Sequence, residues 1–304
     1  MHQIKIALDW TPNVNHIGIL IAHDKGFYLN QQLQVDIENP ITDNYNLTPG
    51  KKLSMGLVDF AIAPFETVIS LNNKQNKVEA KAVYAILQKD LSCIVTLANS
   101  GIQSPKELDH KIYASYKARY EDFIVQEMVK ANGGKGNLNL SYPDKLGIWE
   151  TLLTGKADAT WIFDNWEGVE AEMQQVALNK FYLHDYGIPY GYSPVIVANG
   201  AKLSEYNPAY SKFIQATQHG YIYAQQHPSE AAEILSKHVT ERDRMKIDVF
   251  KTIERTAPHF GNAEKIGRMH HERVQAFLHW LVKHQLEKDE ILNQNLFTNE
   301  LLNL

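Results

Sequence analysis

The stretch that decides the fold is residues 4–28, IKIALDWTPNVNHIGILIAHDKGFY. It begins with alternating apolar residues, which predict a strand, and it ends with an apolar run punctuated by glycine, which predicts a helix. The segment between them, residues 9–16, is polar and aromatic. Because ligands of open α/β sheets bind outside the carboxyl ends of strands, we expect a binding loop here. Its Trp10 ring and polar neighbours favour a small, flat, polar ligand.

Strand and helix patterns continue to alternate along the chain, which favours doubly wound α/β layers with mostly parallel sheets. The predicted strands cover residues 4–8, 35–38, 60–63, 80–87, 92–97, 111–114, 138–141, 157–163 and 194–198. The predicted helices cover residues 17–28, 46–55, 65–71, 120–132 and 146–154, and the pattern after residue 207 is largely helical. We therefore predict the α/β fold class.

Two predicted strands, residues 80–87 and 92–97, follow one another without a helix between them. We interpret this as the place where the chain leaves a first lobe. The predicted division is lobe 1 from residues 1–97 and 194–304, and lobe 2 from residues 98–193. Hinges are expected near residues 97–100 and 193–194. A two-lobe protein of this kind holds its ligand in the cleft between the lobes.

The composition is that of an ordinary globular protein, with 304 residues, 44% hydrophobic and 21% charged. The formal net charge of -5 and the scattered Lys and Arg residues argue against a nucleic-acid partner. No run approaches the roughly 20 apolar residues that span a bilayer. The single cysteine, Cys93, excludes an internal disulfide framework and is predicted to be a buried core residue.

The opening segment supplies the first candidate ligand-binding residues, Trp10, Asn13 and His16. The Trp10 ring offers a stacking face, and Asn13, Asn15 and His16 offer directional hydrogen-bond donors and acceptors. The structural alternative is that Trp10 packs in the core while the asparagine side chains cap the following helix.

Three further segments place aromatic and polar side chains where predicted strands end. They contain Phe65 and Glu66, then Tyr113 and Tyr116, and then Trp161, Asn165 and Trp166. Period-two alternation puts Trp161, Phe163 and Asn165 on one face of their strand. Aromatic rings from two lobes would sandwich a heteroaromatic ring across the cleft. Core packing, helix capping and a plain turn are the structural alternatives.

Catalytic and metal-binding motifs are weak. The glycine-rich segment at residues 133–137, GGKGN, lacks the spacing and the Ser or Thr of a phosphate-binding loop, so we interpret it as a helix-ending turn. His270, His271 and Glu272 do not place two histidines four residues apart on one helical face. A Gly-x-Ser-x-Gly elbow is also missing. We therefore predict no catalytic residue, no metal site and no cofactor.

Residues 8–28 also resemble the amino-terminal signature of the pyrimidine-precursor binding proteins of thiamine salvage. Those are solute-binding components of ABC importers, in the family shared with the yeast thiamine pyrimidine synthase. Further matches are SPKELDHKIY, DATWIFDNWEGVEAEM, YSPVIVANGAKL, YAQQHPSEAAEIL, MHHERVQAFLHWL and LFTNELL, and together they span essentially the whole chain.

The resemblance implies a type II periplasmic-binding-protein fold with the ligand cleft between its lobes. The implied ligand is a formylaminopyrimidine or a hydroxymethylpyrimidine, and the implied partner is an ABC permease in the membrane. By position, the cleft would draw on Trp10, Asn13, His16, Phe65, Glu66, Tyr113, Tyr116, Trp161, Asn165, Trp166 and Tyr192. The location implied is periplasmic or at the cell surface after removal of a leader, or cytoplasmic if Met1 is the native start.

Two alternatives share the architecture. The synthase builds the thiamine pyrimidine from pyridoxal phosphate and a sacrificed histidine, with a cysteine-rich run before its return strand and a Lys and a His after its third strand. Here the corresponding residues 190–194 and 63–67 read YGYSP and APFET, which argues against that activity. The other alternative is a binder of a different flat ligand, such as a flavin, or of an alkylsulfonate.

Overall fold

A computed structural model describes residues 1–73, 78–203, 205, 207–262 and 264–302 of the chain. Its strands are β1 (His2–Ala7), β2 (Leu33–Glu38), β3 (Phe60–Ala63), β4 (Ala80–Ala85), β5 (Ser92–Leu97), β6 (Ile112–Ala114), β7 (Asn139–Ser141), β8 (Ala159–Phe163), β9 (Leu178–Phe181) and β10 (Val195–Asn199). Its α-helices are α1 (Ile17–Asp24), α2 (Phe27–Asn30), α3 (Pro49–Ser54), α4 (Phe65–Asn72), α5 (Glu121–Ala131), α6 (Ile148–Leu153), α7 (Glu167–Met173), α8 (Gly200–Leu203), α9 (Asn207–Gln226), α10 (Pro228–His238), α11 (Glu241–Lys246), α12 (Val249–Thr256) and α13 (His271–Lys283).

The first sheet has the strand order β2-β1-β3-β10-β4. β1 runs parallel to β2 and β3, and β10 runs antiparallel to β3 and β4. β3 is buried along its whole length, as expected for a central strand covered on both faces. Because β10 belongs to this sheet, the chain returns to it after building the second sheet.

The second sheet has the strand order β7-β6-β8-β5-β9. β6 runs parallel to β7 and β8, while β5 runs antiparallel to β8 and β9. The layers built on the two sheets are called lobe 1 and lobe 2 below. Two α/β lobes are therefore present, in agreement with the predicted fold class. The prediction of mostly parallel sheets is wrong, because β10 and β5 each cross from the other lobe and pair antiparallel with both of their neighbours.

The first crossing between the sheets precedes β5, although the sequence prediction counted residues 92–97 with lobe 1. β5 pairs along its length with β8 and β9, so the connecting residues are 86–91 rather than 97–100. An apolar strand pattern does not tell which sheet a strand joins, because pairing partners lie far away in sequence. Cys93 is buried in β5, which confirms the prediction of a core residue.

Helix-breaking and helix-capping residues explain where two predicted helices differ from the structure. The helix predicted over residues 17–28 is divided into α1 and α2 at Gly26, whose φ of 73° only glycine adopts readily. The helix predicted over residues 46–55 begins at Pro49, after the Thr48 side chain accepts a hydrogen bond from the Lys51 amide. The short strand β9 has no counterpart in the predictions.

Two glycines let α1 and α9 pack with their backbones in contact. A Cβ on Gly220 would lie 1.9 Å from the carbonyl oxygen of Gly18. Next to it, the Tyr221 hydroxyl donates a hydrogen bond of 2.6 Å to the carbonyl of Asn15. Because Asn15 lies just before α1, this packing holds the loop that follows β1.

Ion pairs join the carboxy-terminal part of lobe 1 to lobe 2. Arg255 in α12 donates to both carboxylate oxygens of Glu172 in α7, at 2.8 and 2.7 Å. Arg242 in α11 contacts Glu150 at 2.6 Å and Glu170 at 3.1 Å. We call these five residues the inter-lobe ion pairs. They connect α6 and α7 of lobe 2 to α11 and α12 of lobe 1.

Candidate ligand-binding cleft

A cavity of about 200 Å³ lies between the two lobes. Its walls come from the ends of strands and from the loops that follow them, as expected for α/β lobes. The lining residues are Asp9, Trp10, Asn13, Asn15, Tyr45, Pro64 and Glu66 on lobe 1, Tyr116, Ala118, Glu121, Lys145, Trp161, Ile162, Phe163, Trp166 and Glu167 on lobe 2, and Tyr190 and Ser193 near the second crossing.

Short-range hydrogen bonds shape the loop after β1. The Asn13 side chain accepts from the Asn15 amide at 2.9 Å, and the Asn13 amide donates to Nδ1 of His16 at 3.1 Å. Since Nδ1 is an acceptor, the ring proton sits on Nε2 and is donated to Asp9 at 2.8 Å. His16 is fully buried by these contacts. The His16 ring stabilises the loop through these hydrogen bonds, whereas Asn13 lines the cavity.

Aromatic rings from both lobes meet around the cavity. The Trp10 ring lies 5.9 Å from Tyr45 on its own lobe and 5.9 Å from Tyr116 on the other lobe, both edge-on. The Trp161 ring of lobe 2 lies 5.3 Å from that of Tyr190, which precedes the second crossing. Such rings offer flat faces and edges to a planar ligand.

Two buried carboxyl groups from opposite lobes line the cavity. Glu66, in the first turn of α4, is 4% exposed, and burial together with the charge of Glu121 raises its pKa to about 8. Glu121, in the first turn of α5, accepts from the Tyr113 hydroxyl at 2.8 Å and from the amides of Tyr116 and Ala118 at 3.0 and 3.1 Å. Burial raises the pKa of Glu121 as well.

The remaining charged groups leave the cleft acidic. Burial raises the pKa of Glu167 to about 7, and its carboxyl accepts from the Phe163 amide at 3.0 Å. Lys145 places its ammonium 5.3 Å above the ring of Tyr45, and burial lowers its pKa. Among the described lining residues, four carboxyl groups therefore face one lysine. This balance favours neutral or cationic ligands over anionic ones.

The structure brings six of the eleven sequence-predicted site residues to the cavity surface. These are Trp10, Asn13, Glu66, Tyr116, Trp161 and Trp166. The other five, His16, Phe65, Tyr113, Asn165 and Tyr192, lie behind the lining. A direct ligand contact for any of the eleven stays a prediction.

Two of the residues behind the lining, Asn165 and Tyr192, make hydrogen bonds to other elements. The side-chain amide of Asn165 donates to the Asn15 side chain at 2.9 Å and to the Thr256 hydroxyl at 3.0 Å. These bonds connect the segment after β8 of lobe 2 to lobe 1. The Tyr192 hydroxyl accepts from the His270 amide at 3.0 Å. Period-two alternation did not extend to Asn165 because β8 ends at Phe163.

Sequence reasoning did not select several lining residues. Tyr45 lies in a loop, and Lys145 is the first residue of a 3-10 helix, Lys145–Gly147. Neither residue belongs to a periodic apolar pattern, so no local signal indicates it. Asp9 and Glu167 lie within the segments that were singled out, next to the residues that were chosen, and Asn15, named with Asn13 as a hydrogen-bonding candidate of the first loop, also lines the cavity. Their polar character beside a strand end was the available signal.

Two properties of the described residues bear on function. Their His, Cys, Asp and Glu side chains form no group of three or more that would hold a metal ion. None of the described helices combines the length and the apolar character that crossing a bilayer requires.

Comparison with known proteins places this geometry in a family. Residues 13–231 match the family model described as NMT1/THI5 like. A formylaminopyrimidine-binding protein from Halalkalibacterium halodurans is 24% identical, over 84% of this chain and 75% of that protein. A 4-amino-5-hydroxymethyl-2-methylpyrimidine phosphate synthase from Legionella pneumophila is 23% identical, over 88% and 85%.

A solved structure shows the same architecture. The alkanesulfonate-binding protein SsuA from Xanthomonas axonopodis pv. citri, bound to MOPS, superposes with a TM-score of 0.73 at 12% identity, over 98% of each chain. This likeness confirms the predicted two-lobe periplasmic-binding-protein fold. The family match covers more than half of the sequence and confirms the resemblance found in the motifs. The chain belongs to the NMT1/THI5-like family.

Proposed function

We propose that this protein is the solute-binding component of an ABC importer and captures a thiamine pyrimidine precursor of the formylaminopyrimidine or hydroxymethylpyrimidine type. The observation that carries the proposal is one cavity between two lobes, lined by aromatic rings from both and by carboxyl groups. A flat ring with amine donors satisfies both kinds of wall. The relative from Halalkalibacterium halodurans, named for binding formylaminopyrimidine, supports the same ligand class.

Capture proceeds by closure of the lobes. Lobe 1 brings Trp10 and Glu66 to the ligand, and lobe 2 brings Tyr116 and Trp161. The two connections between the sheets, residues 86–91 and 182–194, are where rotation takes place. The closed form then presents a surface made of both lobes to the permease, at the outer face of the membrane.

The charge of the cleft separates this proposal from the synthase alternative. Pyridoxal phosphate carries a phosphate dianion, and Lys145 is the one Lys or Arg among the described lining residues, where it lies among four acidic side chains of which Glu66 is neutral at neutral pH. The lining therefore offers little positive charge to hold a phosphate. The position of the lysine also matters, because an aldimine forms between a lysine amine and the aldehyde of pyridoxal phosphate. Lys145 lies instead above the ring of Tyr45.

A calorimetric titration of the purified protein tests the proposal. Formylaminopyrimidine, hydroxymethylpyrimidine and pyridoxal phosphate are titrated separately under the same conditions. We expect tight binding of a free pyrimidine and no heat with pyridoxal phosphate. Tight binding of pyridoxal phosphate with the absorbance of an aldimine would overturn the proposal in favour of the synthase.

A further inference from the structure

The carboxyl group of Glu66 is buried at the cavity with few partners. It is 4% exposed, and its Oε2 lies 3.4 Å from the hydroxyl of Tyr190, a long hydrogen bond. Within the described part of the chain, this is the one hydrogen bond that the carboxyl group of Glu66 makes. A buried polar group with so few hydrogen bonds destabilises the folded protein unless a further hydrogen-bond partner reaches it.

Glu121 on the opposite lobe accepts more hydrogen bonds than Glu66 does. Three donors, the Tyr113 hydroxyl and the amides of Tyr116 and Ala118, point at its two oxygens within 3.1 Å. Donors that converge on a carboxylate favour its ionised form. Two buried carboxyl groups that repel each other do not both ionise readily, so the proton of the pair resides on Glu66.

The groups around Glu66 set its protonation. Burial first and the charge of Glu121 second raise its pKa to about 8, while the Tyr190 hydroxyl and Arg119 act in the opposite direction. Arg119 is itself paired with Glu287 at 2.5 Å. The other charged groups that line the cavity are Asp9, Lys145 and Glu167. At neutral pH Glu66 is therefore a neutral carboxylic acid.

We propose that Glu66, in its neutral form, recognises the edge of the ligand where a ring nitrogen lies beside an exocyclic amine. Its O–H donates to the ring nitrogen, and its carbonyl oxygen accepts from the amine. This inference rests on the proposed function and narrows it to heteroaromatic rings that carry such an edge. An ionised carboxylate would instead place a second acceptor against the ring nitrogen.

Recognition by the neutral acid gives binding a defined pH dependence. Below about pH 8 the free protein already carries the proton, so the affinity for a neutral ligand is constant there. Above this value the proton must be taken up on binding, and the affinity falls about tenfold per pH unit. Formylaminopyrimidine is neutral throughout this alkaline range, so a change there reports on the protein.

Calorimetric titrations with formylaminopyrimidine between about pH 7 and about pH 9.5 test the inference. For the unmodified protein we expect a loss of roughly 30-fold over this range. Glu66→Gln keeps a donor and an acceptor side by side and does not titrate. It should bind within a few fold of the unmodified protein at pH 7 and show no alkaline loss, whereas Glu66→Ala should bind weakly at every pH.

Two variants separate Glu66 from the other groups that titrate in the cleft. Glu167→Gln and Lys145→Met should each retain the alkaline loss with its midpoint near pH 8, whatever their affinity at pH 7. Thermal melts of each variant establish that it is folded.

The inference is overturned if the unmodified protein binds equally well across the range, or if Glu66→Gln is as weak as Glu66→Ala. Either result with tight binding at pH 7 leaves the proposed function standing. If no pyrimidine binds to the unmodified protein at any pH, the proposed function fails instead.

Discussion

Removing one inter-lobe ion pair should weaken ligand binding without touching the cleft. Glu172 in α7 accepts from Arg255 at 2.8 and 2.7 Å and lies 2.7 Å from the ammonium of Lys251. Both cations belong to lobe 1, and Glu172 belongs to lobe 2. The substitution Glu172→Gln keeps the size of the side chain and removes its charge. We expect these contacts to break when the lobes separate, so removing them should disfavour the closed state.

The magnitude follows from the pKa of Glu172, which the hydrogen bonds from Arg255 lower to about 2. Each pKa unit corresponds to roughly 1.4 kcal/mol for a fully buried group. The Glu172 side chain is 36% exposed, so water and salt screen most of this energy. We therefore expect about 1 kcal/mol, which weakens the affinity about fivefold.

Calorimetry with formylaminopyrimidine at low and at high salt measures the effect. The affinity of the unmodified protein should fall with added salt, and that of Glu172→Gln should fall less, because one screened interaction is already gone. Glu230→Gln is the matched control, since Glu230 pairs with Lys25 at 2.6 Å within lobe 1 and is 44% exposed.

An equal loss of affinity in Glu172→Gln and Glu230→Gln would show that the effect comes from general charge rather than from closure. Unchanged affinity and salt dependence in Glu172→Gln would refute the idea that the inter-lobe ion pairs contribute to the closed state. Urea unfolding of both variants separates a loss of closure from a loss of stability.

Three further perturbations test the cleft and the core. Trp161→Ala should weaken binding by about 1 to 3 kcal/mol with little change in melting temperature, and wild-type affinity would remove this ring from the site. Gly220→Ala should destabilise the fold by about 3 kcal/mol in urea, because its Cβ would meet the Gly18 carbonyl at 1.9 Å, whereas Gly147→Ala, with open space around it, should not. Cys93 should react with a thiol reagent only after unfolding, because burial raises the pKa of its thiol, and rapid labelling of the native protein would contradict this.

The fold could be predicted from sequence because its signals are local. The strand, loop and helix of residues 4–28 are each indicated by hydrophobic periodicity or by a glycine within a few residues. Alternation of such units implies α/β layers. The assignment of β5 to lobe 2 had no such signal. Its apolar residues suit either sheet, and only pairing with β8 and β9 decides between them.

The candidate site could be predicted in part for a similar reason. Residues that follow strands were marked by position, and Trp10, Glu66 and Trp161 line the cavity. His16 also follows a strand, but its ring is hydrogen-bonded to Asp9 and Asn13 and does not line the cavity. No sequence pattern indicated Lys145, since the 3-10 helix that carries it reaches the cleft through long-range packing.

The sequence by itself determined the alternation of strands and helices, the two-lobe fold and the family, since local patterns and motif strings carry that information. The tertiary structure alone decided which side chains face the cavity and in which protonation state. Glu66 shows the physical reason. Its pKa depends on burial and on the charge of Glu121, which comes from the other lobe. Desolvation and Coulomb interactions arise between residues that are distant in sequence, so they exist only once the lobes are assembled.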